Sequence, residues 1–553
     1  MRKLFVVFIF FLLTLPAVRD LLSPAAYTSH DLTHHIVRTI QMDKILKEGQ
    51  FPPRWTGDLN FGFGYPLFLF NYPFPSVLAA GVHLFGFSYI WSVKLTFLLS
   101  MIISAFFAFI LFSYLFKSGL AGFVGGLFYL YAPIRFLNVY VSATFGNAVA
   151  FTFVPLVFWA IIKVYRGDVD RKIIFGGISL ALLILSHNIM AVMFLPIIGV
   201  FALLLFFKKP KFVYVKYMLF IFGIGFTLSA FFLLPAAIEK SLIRYDDLLV
   251  DFWGSNFPTL WQLIHSHWGY GFSHPGTLED DMSFQIGLAH IFVVLVSVVF
   301  VIYRFIRHRK IDIVSIFFIS VFFASVFLML AESSYFWKTV PFLSYLQMPW
   351  RLLAVSVFAA SFLASYIVAR SKNNFILVLF LIILVFYANR NHMKINQIFD
   401  VGDDFYMRIN NSTTMASEHL PKGSDKFTED VVSKVKVESF NKETQVEVLK
   451  NTSGEVSAYF NNDRVDVLKF NQVYLAGWQY MLDGKIVQPR FKLERPLPEF
   501  VVEPGDHTFR AYFARTRVRV VADMLSVLAV IFTSFFALRG FRYKFSRSNF
   551  FDM

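Results

Sequence analysis

Four residues near the N-terminus carry side chains that could act together in a transfer reaction. Asp31, His34, His35 and Arg38 are spaced i, i+3, i+4 and i+7, so a helix over residues 31–48 would place them on one face. A carboxylate can take a proton from an attacking hydroxyl, and a guanidinium can hold a phosphate group. The spacing therefore predicts a site for transfer from a phosphate-linked group. The alternative is an amphipathic helix lying on lipid headgroups, which spacing alone slightly favours.

Two other regions hold candidate binding residues. His265 and His267 lie in a polar loop close to the carboxylates at 279–281, and histidines beside carboxylates suggest a metal or a sugar site. Their spacing matches no metal signature, so a solvated loop is the alternative. Arg351 precedes an apolar run, where it could clamp a lipid phosphate or extend to the headgroups. Neighbouring histidines on a helix diverge by about 100°, so His34 and His35 do not readily chelate one metal ion.

Composition places these residues in a membrane protein. Of 553 residues, 57% are hydrophobic and 16% are charged, with a mean hydropathy of +0.60. Soluble proteins carry about 25% charged residues, so a soluble enzyme with one membrane anchor is excluded. The chain has no cysteine, which excludes disulfides, thiol nucleophiles and zinc–thiolate sites. It also has no Gly-Lys-Ser/Thr phosphate loop, which excludes an ATPase of that type.

Apolar runs long enough to cross a bilayer recur along the chain. They predict about 12 membrane helices. The first is retained rather than cleaved as a signal peptide, because no small-residue cleavage site precedes Arg19. The approximate spans are 4–18, 92–116, 119–135, 147–164, 172–188, 189–207, 216–237, 286–303, 311–331, 352–369, 374–389 and 520–538.

Every second connection between these spans is rich in lysine and arginine. The positive-inside rule then predicts that both termini lie in the cytoplasm and that the large loops lie outside the cell membrane. The same rule accounts for the net charge of +15, so we expect no nucleic-acid partner. The apolar stretch 66–88 contains three prolines, and counting it as a span would invert the charge pattern. We expect interfacial or re-entrant structure there.

The predicted organisation has three parts. Residues 1–390 form a transmembrane core with a large first outer loop (19–89) and a middle outer loop (239–285). Residues 391–519 form a β-rich, sandwich-like domain outside the membrane, and residues 520–553 form the last membrane helix and a basic cytoplasmic tail. Strand-like alternation supports the β domain at 431–437, 444–448 and 517–520, and turn signals separate these segments.

The order of these features resembles a known superfamily. The features are a short first helix, an outer loop containing Asp31, His34, Arg38 and Pro53-Arg54-Trp55, a proline-broken apolar stretch, the motif Pro349-Trp350-Arg351, and an outer β domain containing Gly477-Trp478. The chain resembles the GT-C superfamily of membrane glycosyltransferases. Within it, the chain is most similar to YfhO-like bacterial proteins and to families labelled "6-pyruvoyl-tetrahydropterin synthase-related". That label describes a small soluble zinc enzyme, which this chain does not resemble.

The resemblance implies a fold, a reaction and a set of roles. The fold is a polytopic helical core with an extracytoplasmic β domain. The reaction moves a sugar from a polyprenyl-phosphate donor to a lipid, glycan or protein acceptor of the cell envelope, with membrane lipid as a further partner. Asp31 matches the catalytic carboxylate, and Arg54 and Arg351 would hold the donor phosphate. The full set expected to contact substrate is His34, His35, Arg38, Arg54, Trp55, His265, His267 and Arg351.

One departure from the family pattern keeps alternatives open. Many GT-C enzymes carry a second acidic residue in the next outer loop, but here Asn147 stands where that acid is expected. We therefore expect no cofactor and no metal site. A bound divalent metal is the alternative, and the missing acid argues against it. The second functional hypothesis is a non-catalytic lipid or glycan carrier, a translocase or an envelope assembly protein.

Overall fold

Long apolar helices form most of the molecule. The computed structural model describes residues 2–170, 173–249, 251–277, 281–372, 374–428, 435–539 and 542–544. Six helical segments in this part are long and apolar enough to cross a bilayer, which makes the chain a multi-pass α-helical membrane protein. They are Tyr89–Phe116, Phe145–Tyr165, Asn188–Lys208, Leu288–His308, Pro349–Arg370 and Arg517–Leu538.

Four further pairs of helices would each be long enough to span if read as one bent segment. Their bends range from 47° to 91°. Pro16 and Pro133 stand at the start of the second helix in two of the pairs, where proline ends the preceding helix and fits the first turn of the next. The pairs are Leu4–Leu12 with Leu15–Leu22, Gly119–Leu130 with Pro133–Val141, Phe212–Leu228 with Ala230–Leu242, and Ile313–Met329 with Ala331–Thr339.

The predicted number of membrane helices is not settled by these lengths. An apolar helix occurs at each of the predicted spans, but two of these helices, Ile174–Ser186 and Phe375–Asn389, have only 13 and 15 residues. Six to ten segments meet the length requirement among the described residues. The count of 12, and the side of the membrane on which each loop lies, stay predictions.

Short elements connect these helices. The proline-broken stretch forms two helices, Leu67–Phe70 and Phe74–His83, which are too short to span a bilayer. The strand Ala26–Tyr27 pairs antiparallel with Ile398–Phe399, and Asp168–Asp170 pairs with Arg542–Lys544. The remaining short helices are Glu239–Leu242, Tyr245–Leu249, Phe252–Ser255, Leu260–Ile264, Ser334–Thr339, Pro341–Ser344 and Asp403–Met407.

The helical core is packed most closely around the helix Leu353–Arg370, almost all of whose residues are buried. It contacts Gly119–Leu130, Leu288–His308 and Ile313–Met329. A Cβ atom added to Gly125 would lie 1.8 Å from Ser365 Oγ. Small residues are therefore required where these helices cross, as is usual for helix contacts in membranes.

The C-terminal β domain is present and consists of two antiparallel sheets. Rings from both sheets meet between them: Phe470 of the smaller sheet lies 5.4 Å from Trp478 and 5.8 Å from Phe509 of the larger one. This is a sandwich core. In spatial order, the larger sheet contains Val446–Thr452, Glu455–Asn462, Gly505–Phe513, Trp478–Leu482 and Lys485–Val487, and the smaller sheet contains Glu499–Val502, Asp466–Phe470 and Val437–Ser439.

One predicted strand is wrong. Residues 517–520 alternate Arg-Val-Arg-Val, but they form the first turn of the helix Arg517–Arg539. Arg519 is buried and paired with a carboxylate from another helix. Its alternation with valine therefore does not indicate a strand with one face in solvent. Residues 431–434 of another predicted strand, and 545–553 of the basic tail, lie outside the described residues.

Two buried ion pairs fasten this last helix to the rest of the protein. Arg519 donates from Nη2 to Glu239 Oε2 at 2.8 Å and to the carbonyl of Ala476 at 2.8 Å. Arg54 of the first loop donates from Nη1 to Asp523 at 3.2 Å. All four charged groups are at most 9% exposed. The last helix, the first loop and the β domain are therefore held in one arrangement.

We predict that Glu239→Gln destabilises the protein strongly. Removing the carboxylate leaves the buried Arg519 guanidinium without a charged partner, which costs about 3–5 kcal/mol. The measurement is thermal unfolding of the purified protein in detergent. Glu443→Gln is the matched control, because Glu443 pairs with Arg464 on the exposed surface and such pairs contribute about 0–1 kcal/mol. Equal melting shifts for the two variants would contradict the prediction.

Candidate functional site

Asp31 stands at the N-terminus of the helix Leu32–Lys47 but does not cap it. Its backbone N–H donates to the carbonyl of Ser142 at 3.1 Å, next to the bond from His30 N–H to Val141. These bonds fix the start of the helix through the main chain. Within the described chain, the half-buried carboxylate of Asp31 has no hydrogen-bond donor and no ion-pair partner, so it is available to a ligand.

Arg38 lies two turns further along the same helix. Its guanidinium donates to the carbonyl of Thr413 and, at 3.5 Å, to Thr413 Oγ1, and its positive charge acts on the hydroxyl of Tyr72. The ring of Tyr72 lies 4.8 Å from that of His187. The helix spacing predicted from sequence thus puts Arg38 between the proline-broken segment and the residues that precede the β domain.

Arg351 approaches the same place from the start of a membrane helix. Its Nη1 donates to the carbonyl of Leu346 at 3.0 Å and to Gln347 Oε1 at 2.7 Å. Gln347 Nε2 in turn donates to the hydroxyl of Tyr245 at 3.0 Å. This chain of bonds fixes the guanidinium without neutralising its charge.

We call Asp31, Arg38, Arg351 and Glu418 the charged cluster. Asp31, Arg38 and Arg351 all act electrostatically on the hydroxyl of Tyr72, and Arg351 and Glu418 both act on that of Tyr245. No arginine of the cluster forms an ion pair with a carboxylate in the part of the chain that the structure describes. Two guanidiniums and two carboxylates thus share a partly desolvated region while remaining free to bind charged or hydroxylated groups.

Burial changes the pKa of the phenols beside this cluster. Burial raises the pKa of Tyr72, with the negative charge of Asp31 acting in the same direction and the arginines opposing it. Burial likewise raises the pKa of Tyr245 to about 12. Both phenols are therefore protonated at neutral pH and can donate hydrogen bonds to an anion.

Glu418 was not foreseen from the sequence. It is buried, and its Oε2 accepts a hydrogen bond from the backbone N–H of Ala416 at 3.1 Å. The sequence gives no signal for it, because it lies in an irregular stretch without periodicity, 48 residues beyond the end of the helix that carries Arg351. Only the folded chain brings this second carboxylate to the arginines.

The two neighbouring histidines have different surroundings. His35 is buried, and its Nε2 accepts the backbone N–H of Phe145 at 3.3 Å. Burial, followed by the charge of Arg38, holds the pKa of His35 well below its usual value, so the neutral ring acts as an acceptor. His34 is partly exposed, and burial and Arg38 also lower its pKa, against the effect of Asp31. Its Nδ1 has no partner in the described protein.

Arg54 and Trp55 lie in a structural interface rather than with the charged cluster. Arg54 is paired with Asp523. The fully buried indole of Trp55 donates to Gln472 Oε1 at 2.9 Å and packs 5.3 Å from the ring of Trp478. Both side chains join the first loop to the β domain and the last helix, so we do not include them in the candidate site.

His265 and His267 are exposed residues of the middle loop. The ring of His265 lies 5.9 Å from that of Trp261, which is itself exposed. Nothing in the described structure connects either histidine with the charged cluster. The acidic residues Glu279 and Asp280 near them in sequence lie outside the described residues, so a role for this loop stays a prediction.

No three histidine or carboxylate side chains are grouped to hold a metal ion among the residues described. Asn147, at the position where an acid was expected, is buried in the helix Phe145–Ala150. Its side-chain oxygen has no hydrogen-bond partner in the described protein.

The fold and the cluster define a multi-pass membrane protein with a β domain and a charged, partly buried polar region. No family model matches the chain. An uncharacterized protein of Lactococcus lactis subsp. cremoris (strain MG1363) is 28% identical over 241 residues, which are 42% of this chain and 38% of that protein. The match thus spans well under half of the relative's length.

One solved structure has a partial likeness to this fold. It is the crystal structure of ArnT from Cupriavidus metallidurans bound to undecaprenyl phosphate, with 16% sequence identity and a TM-score of 0.34. The alignment covers 66% of this chain and 60% of that one. A likeness at this TM-score carries no argument about what this chain binds or does.

We predict that acid destabilises the protein through His419. This residue is 3% exposed, its ring stacks 5.5 Å from Tyr65, and burial lowers its pKa to about 4. The unfolded chain binds the proton near pH 6.5, so the folded state loses about 3 kcal/mol of stability as the pH falls from 6.5 to 4. Thermal melting as a function of pH measures this loss.

His419→Gln should flatten that pH dependence, and the exposed His267→Gln should leave it unchanged. The prediction fails if the two variants lose stability on acidification as steeply as each other.

Proposed function

We propose that this protein is a membrane glycosyltransferase of the GT-C type, which moves a sugar from a polyprenyl-phosphate donor to an acceptor of the cell envelope. The observation that carries the proposal is the charged cluster beside the start of the membrane helix that carries Arg351. In it, the carboxylate of Asp31 and the guanidiniums of Arg38 and Arg351 form no ion pairs among the described residues, and all three act on the same phenol. A phosphodiester on a membrane-anchored lipid would meet this region where the membrane helix that carries Arg351 begins. The proposal rests on this cluster and not on the likeness to ArnT.

The arginines are suited to the donor. Arg351 stands at the first turn of a membrane-spanning helix, at the depth where the phosphate of an embedded lipid would lie. Arg38 faces the same region from the first loop. Guanidiniums bind phosphate oxygens in a bidentate manner, and the protonated hydroxyls of Tyr72 and Tyr245 add donors. These groups would stabilise the charge that develops on the leaving phosphate.

Asp31 is suited to activate the acceptor. In the proposed step, the acceptor hydroxyl attacks the anomeric carbon of the donor sugar while the carboxylate of Asp31 takes the hydroxyl proton. The new glycosidic bond forms as the bond from the anomeric carbon to the phosphate oxygen breaks, and polyprenyl phosphate leaves. Because no side chain of the described protein is bonded to the carboxylate of Asp31, no internal contact has to break before the carboxylate accepts the proton.

We place the reaction outside the cytoplasm, with both chain ends inside. The support is the alternation of basic connections in the sequence. It puts the charged cluster and the β domain on the outer side of the cell membrane, where envelope acceptors occur. The assignment to YfhO-like proteins belongs to the same proposal.

We predict that Asp31→Asn lowers sugar transfer by about 10²–10⁴-fold, which is the usual contribution of a general base. The assay uses protein in lipid nanodiscs, radiolabelled polyprenyl-phosphate and polyprenyl-diphosphate sugars, and a crude envelope extract as the source of acceptor. Asp58→Asn is the matched control, since Asp58 is in the same loop but is paired with Lys44. Undiminished transfer by Asp31→Asn would remove Asp31 from the mechanism. Absence of wild-type transfer from every donor, with folded protein, would contradict the proposed function.

We predict that Arg351→Lys impairs the use of donor. The lysine keeps the charge but loses the two-point contact, and a charge-assisted hydrogen bond is worth about 1.5–3 kcal/mol. We expect kcat/KM for the donor to fall on the order of 10–100-fold. Arg390→Lys is the control, because Arg390 is an exposed arginine beyond the end of another membrane helix. Equal kinetics for Arg351→Lys and wild type would show that Arg351 does not hold the phosphate.

A further inference from the structure

A cavity lined by several hydroxyl-bearing side chains opens beside the charged cluster, and the mechanism above does not use it. Its volume is about 390 Å³, which is within the size range of small-molecule sites. One wall is the helix Leu32–Lys47, through His34. The other is the stretch 411–428, which we call the hydroxyl segment because it contributes Ser412, Thr413, Thr414 and Ser417 to the lining.

The lining combines hydroxyls, two aromatic rings and one cation. Phe61 and Phe427 line the cavity together with Lys426, and Phe427 is held by the ring of Phe63 at 4.7 Å. Hydroxyls can both donate and accept hydrogen bonds, and they suit a ligand that is covered with hydroxyl groups. Aromatic faces suit the C–H faces of a sugar ring. This set of groups fits a saccharide better than an apolar ligand.

Two residues connect the cavity with the proposed reaction. His34 lines the cavity and lies within electrostatic range of Asp31 and Arg38. Thr413 also lines the cavity, and it accepts hydrogen bonds from the Arg38 guanidinium. A molecule bound here would therefore adjoin Asp31, the proposed base. It would approach from the hydroxyl segment, whereas the donor would approach from the membrane end at Arg351.

His34 has an unused hydrogen-bonding atom. Its Nδ1 is buried without a partner in the described protein, and a buried polar atom of this kind ordinarily costs free energy unless a ligand or water satisfies it. Its pKa is lowered, so the ring is neutral at pH 7. A neutral ring can form a hydrogen bond with a ligand hydroxyl without adding charge to the cavity.

We propose that this cavity is the acceptor site and that it takes a saccharide carrying an acidic group. The inference rests on the proposed function, because it assigns the second substrate of the same reaction. The acidic group is assigned from Lys426, an exposed lysine at the cavity mouth. The hydroxyl segment is hydrogen-bonded to the first loop through Thr413 and Thr414, so the cavity wall is fixed against that loop.

Binding can be tested without the donor. Saturation-transfer NMR would use the full-length protein in nanodiscs with cellobiouronic acid and with cellobiose, which differ only in a carboxylate in place of a hydroxymethyl group. We expect saturation of both sugars by the wild type, with at least a threefold stronger effect for the acid. Asn411→Trp, which places a large side chain at an exposed lining position, should abolish both signals while the melting temperature is retained.

Lys426→Gln should remove the preference for the acid and leave the cellobiose signal unchanged. Lys422→Gln is the matched control, since Lys422 is an exposed lysine of the same segment that does not line the cavity. Absence of saturation with both sugars, or signals that survive Asn411→Trp, would overturn the proposal. A preference for the acid that survives Lys426→Gln would overturn the assignment of Lys426.

The result of the sugar-binding test can be distinguished from the result of the sugar-transfer test. Asp31→Asn should bind both sugars as the wild type does, although its transfer activity should fall by about 10²–10⁴-fold. Sugar binding without transfer from any donor would refute the enzyme and retain the cavity as a saccharide site. Normal transfer by Asn411→Trp would refute the cavity and retain the enzyme.

Discussion

The attachment of the last helix is the constraint on which the rest of the structure depends. Arg519 with Glu239 and Arg54 with Asp523 are buried ion pairs between segments far apart in the chain. A buried charge is tolerated only with its partner, so each pair permits one arrangement of the segments it joins. The β domain lies directly before this helix, and the hydroxyl segment lies before the β domain. The β domain is tied to the same helix by the bond from Arg519 to the carbonyl of Ala476. The hydroxyl segment is held by its own hydrogen bonds to the first loop.

This constraint explains why the first loop is ordered although it carries the candidate chemistry. Trp55 and Gln50 hold one part of it, since Gln50 Oε1 accepts the backbone N–H groups of Arg54 and Trp55 at 2.7 Å. Gly64, with a φ of +77°, lies where a Cβ would be 2.0 Å from Gln472 of the β domain. Contacts with the β domain thus fix one side of the first loop. The helix Leu32–Lys47, on the other side of the loop, can then present Asp31, His34 and Arg38.

Local patterns in the sequence predicted the parts of the site that depend on one element. The spacing of Asp31, His34 and Arg38 gives a common helical direction, and that helix forms. The apolar runs likewise locate the long helices. The same reasoning failed at residues 517–520. Alternating polar and apolar residues occur in a strand with one solvent-exposed face, but here they occur in a helix whose arginine has a buried ion-pair partner. The role of Arg54, which the family resemblance implied, stays a prediction; in the structure this arginine is paired with Asp523, which is 469 residues away. Glu418 follows from no local pattern, since its place is set by tertiary contacts.

The separation of these partners in the chain has a consequence for biosynthesis. The ribosome makes Arg54 469 residues before Asp523, so a charge that becomes buried waits through that stretch of translation without its partner. During that interval the first loop must remain hydrated or be covered by another protein. A chain interrupted before the last helix would expose the unpaired Arg54 and Glu239 together with an apolar interface. Chains that lack the last helix therefore differ in exposed charge and apolar surface from chains that contain it.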